Sequence, residues 1–310
     1  FMPLVDDPMD ESTPWLIDEL KHRFQSTDSG LILDMTHQEP IWCLTVSGFE
    51  SWFAEVESCL DQTLGRRLAH AAAESEEWHR NQSPALPKSW LGQQKKRISI
   101  INSDWKLRGQ GQLGVLESEN QSSTVIVANR TFTALAAGMG NAAWESIQER
   151  RFRFQWADRG VGETIVEMTI DPREIPAPEK SIPSWEDQAG LICDDDRLFH
   201  RARHEIDGLW TVEGNRTMML SRDCILRFEN LATSYLSSNV RSTDSRTTWA
   251  GVESHEQVVL WDAMAEAARR QFLASGELVL IASPEHWIDV ANRHLSFLGL
   301  GRVSNASVVD

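Results

Sequence analysis

Apolar positions along this chain follow two alternating periods. Phe49, Phe53, Val56, Leu60, Leu64 and Leu68 recur every three to four residues, which predicts a long helical stretch over 49–78. Just upstream, GLILDMT (30–36) and IWCLTVS (41–47) are rich in strand formers and are separated by HQEP, the pattern of a β-hairpin. Thr13-Pro14 before WLIDELKHRF supplies an N-cap and a first-turn proline, so a short helix is expected there. The polar, proline-bearing run 80–97 marks a loop or short helix. Residues 104–118 and 123–131 read as paired strands, 132–149 as a helix, and 151–171 as a hairpin with Phe152, Phe154 and Trp156 inward and DRGVG at the turn.

Pro172–Pro183 holds four prolines in 12 residues, which denies donors to a helix or central strand and suits a linker. Beyond it the pattern predicts an acidic helix at about 193–206, strands LWTVEG and RTMMLS, and a helix DCILRFENLATSYL. A polar loop (237–248), a long helix EQVVLWDAMAEAARRQFLA and a strand ELVLIA follow. A helix capped by Ser283 and a terminal strand at 302–310 close the chain. The expected organisation is an N-terminal α/β domain (1–171), a Pro-rich linker (172–190) and a C-terminal α/β domain (191–310). At 310 residues, two domains are the default.

The halves echo one another. Leu64, Leu68, Ala69, Ala71 and Ala72 align with Leu260, Met264, Ala265, Ala267 and Ala268. Likewise 41–60 resembles 217–236 as strand-then-helix, and 124–138 resembles 278–292. These echoes give the expected fold class: α/β (α+β), two related mixed-sheet halves packed with long amphipathic helices, by internal duplication.

Composition narrows function. A hydrophobic fraction of 41% with 25% charged residues supports a real core. The net charge of −16 weighs against phosphate-backbone affinity, since counterion release needs clustered Lys and Arg. QKKR (94–97) and ERRFR (149–153) are the densest basic runs, and each reads as a solvated face, so no nucleic-acid partner is expected. Cys43, Cys59, Cys193 and Cys224 lie far apart with no C-x-x-C pair, which fits a reducing compartment. With no apolar run of membrane length and no signal-peptide pattern, the expectation is a cytoplasmic protein without a membrane span. Thirteen tryptophans against one tyrosine, Tyr235, read as core filling.

Two motifs carry chemistry by their letters. Gly109-x-Gly111-x-x-Gly114 matches a dinucleotide fingerprint, but the polar turn after VLES denies it the helix such a site needs, and close packing in a strand is the better reading. His200 and His204, at i and i+4 on the expected acidic helix near Asp194, Asp195 and Asp196, give a metal-dependent hydrolase as the alternative function. Arg201 and Arg203 beside them oppose a cation. There is no G-x-S-x-G elbow or P-loop, and Cys43 in an apolar strand reads as core, so no catalytic residue, cofactor or metal is assigned.

In 104–170, a strand with Gly109 and Gly111, a strand ending in Asn129, a helix with Ala137-Gly138 and a final aromatic hairpin together resemble the vinyl-reductase-type ligand-binding domain. That family is related in fold to Golgi-transport tethering subunits and haem-based nitric-oxide sensors. The family often carries cysteines around the final hairpin, and this chain has none there. The resemblance implies a non-enzymatic small-molecule-sensing or protein-assembly module. Its expected partners are another protein or a second copy, and a small apolar ligand. Alternation and helical spacing send Trp42, Gly138, Trp144, Phe154 and Trp156 toward one place, the expected ligand site, with a filled core as the other reading of the same side chains.

Overall fold

A helix, α1 (Pro14–Arg23), leads into three strands, β1 (Phe24–Thr27), β2 (Ile32–Asp34) and β3 (Glu39–Thr45), and then into α2 (Val46–Leu60) and α3 (Gly65–Gln82). There follow α4 (Gln93–Arg108), β4 (Gln112–Ser118), β5 (Ser122–Ala128), α5 (Thr133–Gln148), β6 (Phe152–Asp158) and β7 (Glu163–Ile170). The last third contributes β8 (Ile192–Cys193), β9 (Ala202–Ile206), β10 (Leu209–Val212), β11 (Asn215–Ser221), α6 (Arg222–Tyr235), α7 (His255–Ser275) and α8 (Trp287–Leu298). This computed structural model describes residues 12–87, 93–183, 190–193, 195, 197–236, 249, 252, 254–275 and 286–303. The expected strand 277–282, the Ser283 cap, the polar loop 237–248 and most of the expected terminal strand lie outside them.

The strands make a seven-stranded sheet, β8-β1-β2-β3-β11-β10-β9, and a four-stranded sheet, β4-β5-β7-β6. Among the described residues all pairings are antiparallel, which corrects the expected mixed sheets: β1-β2-β3, β4-β5, β6-β7 and β9-β10-β11 are joined by short turns that reverse the chain, and the pairs between distant strands, β1–β8, β3–β11 and β5–β7, run antiparallel as well. The larger sheet is continuous across the Pro-rich segment, because β3 pairs with β11 from Thr45 opposite Thr217 to Ile41 opposite Ser221.

The two sides of that pair are built alike. Three strands and a helix run through β1-β2-β3-α2 on one side and β9-β10-β11-α6 on the other. Both helices are capped by the hydroxyl ending the preceding strand: Thr45 Oγ1 accepts from Gly48 N at 3.2 Å, and Ser221 Oγ accepts from Asp223 N at 3.2 Å. Partners are exchanged reciprocally, α2 packing on α7 and α6 on α3. Of the echoed residues, Leu64, Leu260, Ala71 and Ala267 are fully buried, whereas Ala69 and Ala72 are buried and Ala265 and Ala268 exposed. In the 124–138 and 278–292 echo, residues 278–285 lie outside the description; α5 packs on α3 and the four-stranded sheet, and α8 beside β3.

Alternation divides the sheet's faces. Ile41, Cys43 and Met219 join Ile32, Phe24 and Trp210 in a core closed by Leu16 and Leu20 of α1 and by Leu198 and Phe199. Trp42, Leu44, Met218 and Leu220 point the other way, into the larger core with α2, α3, α5, α6 and α7.

Three elements differ from expectation. The one helical stretch expected over 49–78 is two helices, α2 and α3: Asp61 turns left-handed (φ 49°) to end α2, and Glu57 Oε1 accepts from Leu64 N and Gly65 N at the start of α3. Residues 93–108 form a helix where a strand was expected from 104. Arg97 anchors α4, donating to Ile147 O and to Glu149 Oε1 (2.6 Å) at the C-terminal end of α5, so part of the basic run is buried structure. The acidic helix expected at 193–206 is instead a turn at 197–201 and the strand β9. Residues 172–183 have no regular structure and form a strap held at several points. Arg151 Nη2 donates to Ile175 O at 3.2 Å, Arg227 to Glu179 O, and Ser181 N to Asp223 Oδ1 at 3.3 Å, while Lys180 pairs with Glu39. Among the described residues no helix is long and apolar enough to cross a membrane.

Candidate functional site

Of the five residues expected to meet in a ligand site, two are committed to packing. A Cβ at Gly138 would sit 1.9 Å from Ala69 O, so α5 and α3 touch backbone to backbone and leave no room. Trp144 is fully buried. Trp42 stands on the seven-stranded sheet, packed against the larger core, while Phe154 and Trp156 stack at 5.8 Å on β6 of the other sheet, beside His70. None of the five lines either of the clefts described below.

The histidine reading loses its helix. His204 lies on β9 against Trp15 (5.2 Å) and 3.4 Å from Asp207, and His200 is in the preceding turn, so they do not share a helical face. No group of three metal-ligating side chains occurs among the described residues. The glycine motif runs from helix to strand: Gly109 and Gly111 (φ +68° and +89°) turn α4 into β4, and a Cβ would lie 2.6 Å from Thr217 O and 2.4 Å from Ala128 O respectively.

The interior holds a polar assembly of charged side chains. Glu76 on α3 accepts from Trp105 Nε1 (2.9 Å), Arg80 Nε (3.0 Å) and Arg108 Nη2 (2.8 Å). Asp104 takes Arg108 at 2.5 Å, Arg23 at 2.7 Å and Arg80, and Arg23 pairs with Asp34 at 2.8 Å. Burial alone would raise the Glu76 and Asp104 carboxyls, but Arg108 and Arg80 outweigh it and hold both below the usual range. Three carboxylates thus face three guanidiniums at the meeting point of α1, α3, α4 and the β2–β3 hairpin. Beside them the His79 ring lies tilted against that of His37 with centroids 5.0 Å apart, and burial, with Arg108 nearby, lowers the His79 imidazole to about 4. Burial likewise pushes the Cys43 thiol up to about 12 and raises Cys224.

The clefts among the described residues include two of several hundred cubic ångströms. One, of about 540 Å³, lies among Arg80, Glu145, Arg151 and Asp171, charges already paired with one another or with neighbours. The other, of about 610 Å³, is more apolar. Its floor is Leu31, Leu33 and Pro40, its far wall is Ile182 and Pro183 of the strap with Ile192 of β8, and its polar rim includes Glu39, Lys180 and Arg222. Leu33 is opposite Pro40, on the sheet face that α2 and α6 cover further along at Trp42 and Leu44. The cleft exists where that helical cover gives way to the strap. Sequence pattern missed it because its walls come from segments about 150 residues apart.

Neither a scan against protein-family models nor a search of curated proteins finds a match to this chain.

Proposed function

We propose that the protein is a non-enzymatic binding module of the small-molecule-sensing or assembly kind, and that the cleft under the strap holds its ligand. The cleft carries this reading: about 610 Å³ of partly apolar space on a rigid sheet face is of ligand size. Its lining calls for a small, largely apolar molecule. Support for a non-enzymatic role comes from the interior, where the buried carboxylates are neutralised by guanidiniums and the buried thiols are held protonated. The scaffold itself we read as an internal duplication, supported by the matching β-β-β-α runs about the β3–β11 pair. The β4–β7 region, with α5 on one face of its sheet, carries the vinyl-reductase-type resemblance and with it the assembly side of the reading.

Anilinonaphthalene sulfonate, whose emission rises in apolar sites, tests the cleft. Saturable binding at one site per chain, lost in Leu33→Trp while circular dichroism is unchanged, is the expected result. Equal binding by both proteins would remove the cleft from the account.

A further inference from the structure

The two edges of the four-stranded sheet are finished differently. At β4, Asn102 hydrogen-bonds both Leu113 N (2.8 Å) and Leu113 O (3.0 Å), and the register shifts between Val115 and Glu117, so a side chain and a bulge blunt that edge. At β6 the bonds flanking the ladder, Asp171 N to Arg151 O and Arg159 N to Glu163 O, fix which residues face β7: Arg153, Gln155 and Ala157. Phe152, Phe154, Trp156 and Asp158 therefore turn their backbone groups outward. Glu145 takes Phe152 N at 2.7 Å, and among the described residues Phe154 N and Trp156 N have no partner.

We infer that β6 pairs antiparallel with β6 of a second copy of this chain, about a two-fold axis at Gln155. The strand is complementary to itself in that register. Phe154 of one copy falls opposite Trp156 of the other, and both residues present outward donors and acceptors, so they exchange two hydrogen bonds twice over. The same pairing sets aromatic against aromatic on the helix side, where Phe154 and Trp156 are half-buried next to His70. On the other side exposed Arg153 meets Ala157, and Gln155 meets Gln155, so no like charges face each other and the strand's Arg153 and Asp158 cancel. A continuous eight-stranded sheet results. The net charge of −16 per chain opposes association, so added salt should tighten the dimer.

Sedimentation equilibrium of the full chain tests this. Gln155 is exposed, its N–H faces β7, and its side-chain amide donates to Glu167 Oε2 across the β6–β7 pair at 2.8 Å, so urea unfolding of each variant is measured beside its association to separate an effect within the chain from one between copies. The wild type should be a monomer–dimer equilibrium that tightens with salt. Gln155→Glu should weaken it about tenfold or more by setting like charges in the close, non-hydrogen-bonded pair, as should Gln155→Lys. An equimolar mixture of the two variants should recover a heterodimer. Trp156→Pro, which removes an outward donor together with the indole stacked on Phe154, should be monomeric, whereas Trp156→Phe, which keeps the donor and a ring, should still dimerise. A wild type that stays monomeric to its solubility limit in high salt would overturn the inference, as would a Gln155→Glu variant that dimerises like wild type or a mixture that does not recover.

Discussion

Cys43 lies directly opposite Met219 at the centre of the β3–β11 pair, with Ile41 opposite Ser221 on one side of it and Thr45 opposite Thr217 on the other. Because 41–45 also aligns with 217–221 in the sequence echo, exchanging the strands maps each pair onto another, and the Cys43–Met219 pair onto itself. The pairing has the register of a local two-fold axis. Both residues are buried, so this join is core, made between strands that the Pro-rich segment separates.

Cutting the strap should therefore leave one particle. Cleavage after Lys180, exposed on the strap, interrupts neither sheet. Size-exclusion chromatography of nicked protein should show both pieces co-eluting, parting only in denaturant. Arg227→Met, which removes the donor to Glu179 O, should speed trypsin cleavage there. Two pieces that separate without denaturant would contradict the continuity of the sheet.

Acid should weaken the fold through His79. Its ordinary value of about 6.5 is lowered to about 4 by burial and Arg108, against the opposing pull of Glu76 and Asp223 and with His37 beside it. The unfolded chain then takes up a proton that the folded chain refuses. Stability is full above about pH 6.5 and falls as pH drops toward 4, by up to about 3 kcal/mol from this group. Urea unfolding across that window should show a flatter profile for His79→Gln than for wild type.

Glu76 should be among the least replaceable surface-incompatible charges. Removing it strands Arg80, Arg108 and the Trp105 indole N–H, and breaking a buried pair from one side costs about 3–5 kcal/mol. Chemical denaturation of Glu76→Ala checks this; a change below about 1 kcal/mol, the range of an exposed pair, would contradict it.

Gly138→Ala should destabilise despite helix propensity. Alanine is favoured over glycine in helices by about 1 kcal/mol, yet here the new Cβ meets the Ala69 carbonyl. Parting α3 from α5 should cost about 1–3 kcal/mol net, read from the thermal midpoint.

Where a segment's own residues decide its structure, the pattern was legible. The hairpin at 32–45, α5 and the β6–β7 hairpin follow from alternation and helical spacing, and Thr13-Pro14 does start α1. Thr13 Oγ1, however, accepts from His204 N instead of capping its helix. Misreadings occurred where tertiary contacts decide. Helix α4 has a weak apolar stripe because it buries Arg97 and Arg108 along with Ile101 and Trp105. HRARHE reads as a helical charge pattern, but β9 pairs with β10. The charges of Arg23, Asp34, Glu76, Asp104 and Arg108 look solvated in sequence, since nothing local tells a paired buried charge from an exposed one. The cleft joins residues near 30 to residues near 180, beyond any periodicity.

Native mass spectrometry of the full chain, purified from its own host, tests the binding account most directly. Wild type should carry a discrete mass excess of one small molecule per chain, and Leu33→Trp, with the cleft filled, should fly as the bare chain. An excess retained in Leu33→Trp, or bare chain mass for both proteins, would contradict a ligand held under the strap.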